Sequence, residues 1–190
     1  MLEKIIQLDY QLFYTINTGL SNPVFDFLMP ILRNKLVWIP FYLAIIYYFI
    51  KTYKLNGVFL TLTLATCIAF ADFTSASVIK KTVKRPRPCN DLAFMQRVTI
   101  RVPCGTGFSF PSTHATDHFA IALFLITLFF KKYKYTIIIL LSWAFLIAFA
   151  QVYVGVHFPT DVLCGTLYGA LIGCSFASFF KYKFPKLILA

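Results

Sequence analysis

Apolar residues gather in five long blocks, at 36–50, 57–79, 113–130, 135–154 and 160–180, and lysines and arginines collect between them. A helix needs about 20 apolar residues to cross a bilayer, and the last four blocks are close to that length. The first block is short, but Tyr47, Tyr48 and Tyr53 suit an aromatic belt at its end, where Lys51 and Lys54 can snorkel to water. Ahead of the blocks, Ile5, Leu8, Leu12 and Ile16 recur at three- and four-residue spacing, with Gln7, Asp9 and Gln11 among them. That period suits a helix lying in the membrane interface, and equally an ordinary packing helix. Glu3, Asp9 and scattered polar groups within residues 1–20 do not read as a cleaved leader. In the last block Gly165, Gly169 and Gly173 return every fourth residue, a stripe that lets a second helix backbone come close. The pattern predicts an all-α polytopic membrane bundle of five or six spans plus an N-terminal interfacial helix. All of it forms a single domain, 1–190, with residues 1–35 ahead of a transmembrane core at 36–180 and a polar loop at 80–112.

Composition narrows the class further. The chain is 59% apolar and 13% charged, whereas soluble domains carry about a quarter charged residues. A soluble enzyme, a disordered chain, a coiled coil and a secreted disulfide scaffold are all excluded. The net charge of +11 comes without a nucleic-acid-binding motif, so the expected partner of the cations is the bilayer and its anionic lipids, not nucleic acid. The block order puts 80–110 and the turn at 155–159 on one side of the membrane. The other side holds Lys51, Lys54, Lys131, Lys132, Lys134, Lys181, Lys183 and Lys186 in short acid-free segments. Under the positive-inside tendency that side is cytoplasmic, which predicts a plasma membrane protein, in a bacterium the inner membrane, whose polar loop faces the periplasm or exterior.

Polar residues are costly near a membrane, and here they form three clusters. Lys80-Lys81-Thr82-Val83-Lys84-Arg85-Pro86-Arg87-Pro88 ends a span in five cations, with prolines that stop the helix and fix the direction of Arg87. A solvated anchor for lipid headgroups is the plain alternative for this stretch. Phe110-Pro111-Ser112-Thr113-His114 opens a span, where unpaired N–H groups and the helix dipole favour an anion. By itself that is an ordinary helix cap. Finally His157 precedes Asp161 by four residues across a turn bounded by Gly155 and Pro159; a carboxylate so placed can hold one ring nitrogen and free the other for attack. Jointly the clusters supply cations for phosphate oxygens, an amide cradle, an oriented nucleophile and a second histidine as acid, an inventory for phosphoryl transfer.

Lys80 with Arg87-Pro88, then Pro111-Ser112-Thr113-His114, then His157 with Asp161, resembles the three-part signature of the type-2 phosphatidic acid phosphatase superfamily, over residues 57–180. The resemblance implies that Lys80, Arg87, Ser112 and the Thr113 amide bind the phosphate of a membrane lipid. His157 would attack phosphorus, oriented by Asp161, and His114 would protonate the leaving group. Water would then hydrolyse the phosphohistidine without metal or other cofactor. Undecaprenyl pyrophosphate and lipid A phosphates lead among the implied substrates; the resemblance leaves the oligomeric state open. Two positions depart from the signature. Thr113 stands where the family has glycine, a mild change at a helix start. Gln151 follows Ala150 where the family has Ser-Arg, so a phosphate-gripping arginine is replaced by a residue with no charge. Lys84, Arg85, Arg97 or Arg101 are the candidates to supply that cation, and a phosphotransferase or a non-catalytic lipid-phosphate binder stays open beside the hydrolase.

Other residues invite weaker readings. His114, Asp117 and His118 share one helix face at a metal-like spacing, but a third ligand is not evident, so no metal is predicted and support of His114 is preferred. Asp72 inside a span must face protein or water; a structural role tying helices together is preferred. Cys89 and Cys104 bracket the loop, as a disulfide on an oxidising face or as two free thiols.

Overall fold

In the computed structural model, which describes residues 2–92, 94–129 and 134–185, every regular element is helical. Helix α1 (Leu2–Tyr14) runs into a widened turn at Thr15–Gly19, and α2 (Pro23–Leu32) follows. Asn22 caps α2 by accepting the Phe25 N–H at 2.9 Å, and Pro23 takes the first helical position, where its missing N–H costs nothing. A 3₁₀ turn at Lys35–Trp38 leads into α3 (Ile39–Tyr53). α4 (Leu55–Phe73) continues through a π turn at Thr74–Ile79 into α5 (Lys80–Val83), one apolar rod of 29 residues. It stops at Lys84, which adopts a left-handed φ of 54° just before Pro86. After the long loop come α6 (Thr113–Phe129), α7 (Thr136–Tyr153) and α8 (Pro159–Lys183).

Among the described residues four helices are long and apolar enough to cross a membrane: Lys35–Tyr53, Leu55–Val83, Thr136–Tyr153 and Pro159–Lys183. The remaining predicted block is α6, 17 described residues or roughly 25 Å long, and it forms the axis of the bundle. α4, α7 and α8 pack around it, burying Ala115, Phe119, Ala120, Phe124 and Leu128 on successive faces. α2 has ten residues, about 15 Å, and is too short to be a further span. Outside the bundle, Leu43, Leu62, Ile138, Leu167 and Leu171 are each more than half exposed. Such a belt is unfavourable in water and is what hydrocarbon requires.

The glycine stripe of α8 lies directly on α6. A Cβ at Gly165, Gly169 or Gly173 would sit 2.6, 2.1 or 2.3 Å from the carbonyl oxygens of Ser112, Thr116 and Ala120. Backbone-to-backbone packing of this kind replaces the hydrophobic drive that is missing between helices in lipid. It also sets the start of α8, which carries Asp161, beside the start of α6, which carries His114.

Of the two readings of the N-terminal helix, the apolar stripe at Ile5, Leu8 and Leu12 follows the interfacial one. Ile5, Leu8 and Leu12 are exposed, while Asp9 and Phe13 are buried. The apolar stripe therefore looks outward to lipid, and the inner face brings a carboxylate into the protein. Phe13 packs with Tyr10, Phe94 and Phe158, so α1 clamps the loop onto the turn after α7. Asn17 adds polar ties: its amide donates to the carbonyls of Thr99 and Tyr153 at 2.9 and 2.8 Å and accepts the Thr99 N–H at 2.9 Å. Arg101 pairs with Asp26 and donates to Ser21 Oγ and the Tyr153 carbonyl. Cys89 and Cys104 are joined in a disulfide with Cα atoms 6.0 Å apart. Of the lysines predicted on the inner side, Lys131, Lys132 and Lys186 lie outside the described residues.

Two measurements check this packing. Denatured protein is expected to titrate three thiols without reductant, those of Cys67, Cys164 and Cys174, and five with it; five in both cases would show that the bond is absent. Gly169→Ala should cost about 1–3 kcal/mol by overpacking and lower the melting temperature in detergent, whereas Gly107→Ala, with nothing within 4 Å, should not.

Candidate active site

At one end of the bundle the helix ends and the long loop enclose a cavity of about 460 Å³, a size suited to a headgroup. Lys80, Arg87, Thr113, His114, Gln151 and His157 all line it. Residues from three stretches separated by up to about eighty positions thus meet at one place.

The π turn re-phases the end of the α4–α5 rod, so that Lys80 is buried and faces the cavity while Lys81 and Lys84 face out. No carboxylate pairs with Lys80 or Arg87 among the described residues. Arg87 is aimed by carbonyls: Nε donates to Gly107 O at 2.9 Å and Nη1 to Val156 O at 3.2 Å. Burial pushes the Arg87 guanidinium below its usual range, with Asp161 opposing, and it stays charged at any working pH.

His157 sits in the turn that Gly155 makes possible. Gly155 has φ +89°, and a side chain there would meet Val98 at 2.8 Å and Thr99 O at 3.0 Å. Arg87 Nη1 also lies 3.2 Å from His157 Nε2. A guanidinium can only donate, so Nε2 must be the unprotonated nitrogen, and its lone pair belongs to the cavity side. The proton then rests on Nδ1, which faces Asp161 Oδ2 at 3.5 Å, a long contact that makes no well-formed hydrogen bond. Burial pushes the imidazole down to about 4; Asp161 opposes this, and the charges of Arg87 and Lys80 add to it. His157 is therefore neutral at neutral pH.

Asp161 does not touch the cavity. It is buried behind His157, with Oδ2 accepting the Phe158 N–H at 2.9 Å and Oδ1 accepting from Arg85 at 2.8 Å. Arg85 also donates to Asp9 at 2.6 Å and to Thr160 Oγ1 at 2.7 Å, and lies 4.0 Å above the Phe158 ring. Although burial works against the Arg85 charge, Asp161 and Asp9 outweigh it and raise its pKa. Ser112 likewise stands behind the cavity: it is fully buried, its hydroxyl accepts the Ala115 N–H at 3.5 Å and its N–H goes to Asp161 O at 2.9 Å. The cradle proper is the start of α6, where the first N–H groups, at Thr113 and His114, have no intrahelical partner.

His118 is not free for a metal. Nδ1 donates to the His114 carbonyl at 2.7 Å, so Nε2 accepts from Tyr42 Oη at 3.0 Å. Among the described residues no group of three His, Cys, Asp or Glu side chains converges on a metal position. Among the described residues Asp72 makes no side-chain hydrogen bond or ion pair; it is exposed along the rod and lines the cavity with Asp117.

The cations proposed from sequence to replace the family arginine go elsewhere. Arg85 and Arg101 are consumed by carboxylates, Lys84 and Arg97 are exposed, and none of the four lines the cavity. Instead Arg33 and Lys35, from the connection between α2 and α3, are in its wall. Neither is legible as a site residue in the sequence, because their block carries no motif.

The chain is 33% identical over 183 residues to a lipid A 4'-phosphatase of Bacteroides thetaiotaomicron, covering 93% of this chain and 78% of the relative. It is 31% identical over 173 residues to an undecaprenyl-diphosphatase of Sulfolobus acidocaldarius, covering 90% and 77%. The solved structure of Aquifex aeolicus LpxE superposes with a TM-score of 0.69 at 26% identity, covering 88% of this chain and 93% of that one. Residues 54–185, which hold both the glycine-packed helix pair and the cationic cup around His157, match the PAP2 superfamily, and the chain belongs to that family.

Proposed function

We propose that this protein is a membrane lipid phosphatase that removes phosphate through a covalent intermediate on His157. The observation that carries the reading is the Nε2 lone pair of a neutral, buried imidazole, turned to a cavity whose cations, Lys80 and Arg87, make no ion pair among the described residues. Phosphate oxygens would lie on Lys80, Arg87 and the N–H groups at the start of α6. Nε2 attacks phosphorus in line, the phosphorus–oxygen bond to the lipid breaks, and the leaving oxygen takes a proton from His114. The anionic substrate stabilises the protonated form of that ring. As positive charge grows on His157, the contact from Nδ1 to Asp161 tightens. Water then attacks phosphorus and gives its proton to His114; the phosphorus–nitrogen bond breaks, its electrons return to Nε2, and inorganic phosphate leaves.

The substrate we favour is a phosphomonoester on a lipid A-type glycolipid, the class named for the Bacteroides relative; a polyprenyl pyrophosphate, named for the Sulfolobus relative, is the second reading. In both, the tail stays in hydrocarbon while the headgroup reaches the cavity, whose apolar wall takes Tyr42 and Ile68 from two of the candidate spans and Ile121 from α6. The site would face the exterior or periplasm across the inner membrane. The disulfide supports that side, since such bonds persist in oxidising compartments, and so do Lys51, Lys54, Lys181 and Lys183 at the opposite ends of the spans.

Phosphate release from a panel of lipid phosphates, with chelator present, is expected to fall by about 10⁴-fold or more in His157→Ala. Full activity in that variant would remove the nucleophile, and product that depends on an added lipid acceptor would make the protein a phosphotransferase. Histidine-selective ¹⁵N spectra, with His157 assigned by difference against His157→Ala, should show its ring neutral until the pH falls towards about 4. The sign follows from burial favouring the uncharged form; a midpoint near the ordinary value of about 6.5 would contradict it.

A further inference from the structure

Gln151 is fully buried in the last turn of α7 and lines the cavity, yet its amide nitrogen has no hydrogen-bond partner. Its other end is engaged: Arg33 Nε donates to Gln151 Oε1 at 3.4 Å. An unsatisfied buried donor costs free energy, about 1–3 kcal/mol, unless something in use satisfies it. Beside it, Arg33 has no carboxylate partner among the described residues. With Nε given to Gln151, the four terminal N–H groups of the guanidinium remain for a ligand. Burial, and then the charge of Arg87, push the pKa of Arg33 down, which places two guanidinium groups within electrostatic reach, and among the described residues neither makes an ion pair with a carboxylate. Such an arrangement is repulsive when empty and favourable around an anion.

Arg33 is also held firmly. It ends α2, where its N–H donates to Met29 O at 3.1 Å. Met29 is buried against Ala150, Tyr153 and Val154 of the α7 end, and Phe25 stacks edge-on against Tyr153. Tyr153 donates to Asp26 at 2.6 Å, and Trp38 Nε1 donates to Leu32 O at 2.8 Å. α2 is therefore docked on the same turn of α7 that carries Gln151.

We propose that Arg33 is a phosphate-binding residue of this enzyme, delivered from α2 to the position an arginine at 151 would reach, and that Gln151 is its positioning residue. The oxygens of the transferring phosphoryl group would take Arg33 Nη atoms on one side and Lys80 and Arg87 on the other, with the Gln151 amide nitrogen as a further donor. The guanidinium acts as a fork for two oxygens, which a lysine cannot reproduce. This inference rests on the phosphatase reading, but part of its test does not.

The test compares wild type, Arg33→Met, Gln151→Ala and the double variant Arg33→Met with Gln151→Arg. Methionine keeps the apolar stem that packs at the cavity wall. Unchanged melting temperatures certify folding, and Lys54→Ala, at the far end of the bundle, serves as a neutral control. Arg33→Met is expected to lose about 10²–10³-fold in kcat/KM, the loss typical of one transition-state donor, and to weaken the binding of inorganic orthovanadate measured by calorimetry. Gln151→Ala should lose less, and the double variant should recover most of both losses. Arg33→Met with activity and vanadate affinity within about threefold of wild type overturns the proposal. So does a loss that arginine at 151 fails to recover. Should no lipid in the panel release phosphate with wild type, the phosphatase reading fails by itself, while the vanadate series still decides the role of Arg33.

Discussion

A single buried carboxylate organises the functional end of this protein. Asp161 lies behind His157 with one oxygen on the Phe158 N–H and the other on Arg85, and Arg85 reaches past it to Asp9 on the N-terminal helix. An isolated carboxylate in so dry a place would be prohibitively costly, and it is tolerated because a cation and a backbone donor meet it with short bonds. Two things follow from that one group: the ring of His157 has a negative charge behind it, and α1 is pinned across the mouth of the last helix. Arg85, which sequence order places amid phosphate-binding cations, belongs to the frame. Breaking such a pair from either side typically costs about 3–5 kcal/mol, since the survivor keeps its charge without its partner.

The bilayer supplies the second constraint. Lipid offers helices no hydrophobic reward for meeting, so α8 and α6 are joined through glycines at van der Waals distance from facing carbonyls. These contacts run from Ser112 to Ala120 and bring the starts of both helices together. Polar groups then concentrate where the helices begin or end, because only there are unpaired N–H groups, water and charge compatible with the surrounding hydrocarbon. The cavity is the product: helix starts at Thr113 and Pro159, helix ends at Val83 and Tyr153, and a loop fastened over them by Asn17, Arg101 and the Cys89–Cys104 bond.

Much of this was legible before any coordinates. The five apolar blocks became α3, the α4–α5 rod, α6, α7 and α8, and the motif residues Lys80, Arg87, Thr113, His114 and His157 do meet in one cavity. What failed has a common cause. Charge and spacing along a chain say which groups are present, but not which of them are already satisfied. Arg85 and Arg101 looked available and are paired with carboxylates, and Ser112, placed by sequence in the cradle, is buried behind the cavity. The N-terminal third carried no motif, and its contribution, Asp9 inside and Arg33 in the cavity wall, arises only from packing.

The sequence by itself determined that the chain lies in a membrane, where its helices run, which helix pair approaches closely and which residue types line the cavity. These are local matters, since hydropathy, helix period, proline stops and glycine spacing act over a few turns at most. Tertiary structure alone decided which nitrogen of His157 bears the lone pair, which cations remain unpaired, and that α1 brings Asp9 into the protein. Each of those depends on a partner from a distant part of the chain, and a hydrogen bond or ion pair is defined by the position of both its ends.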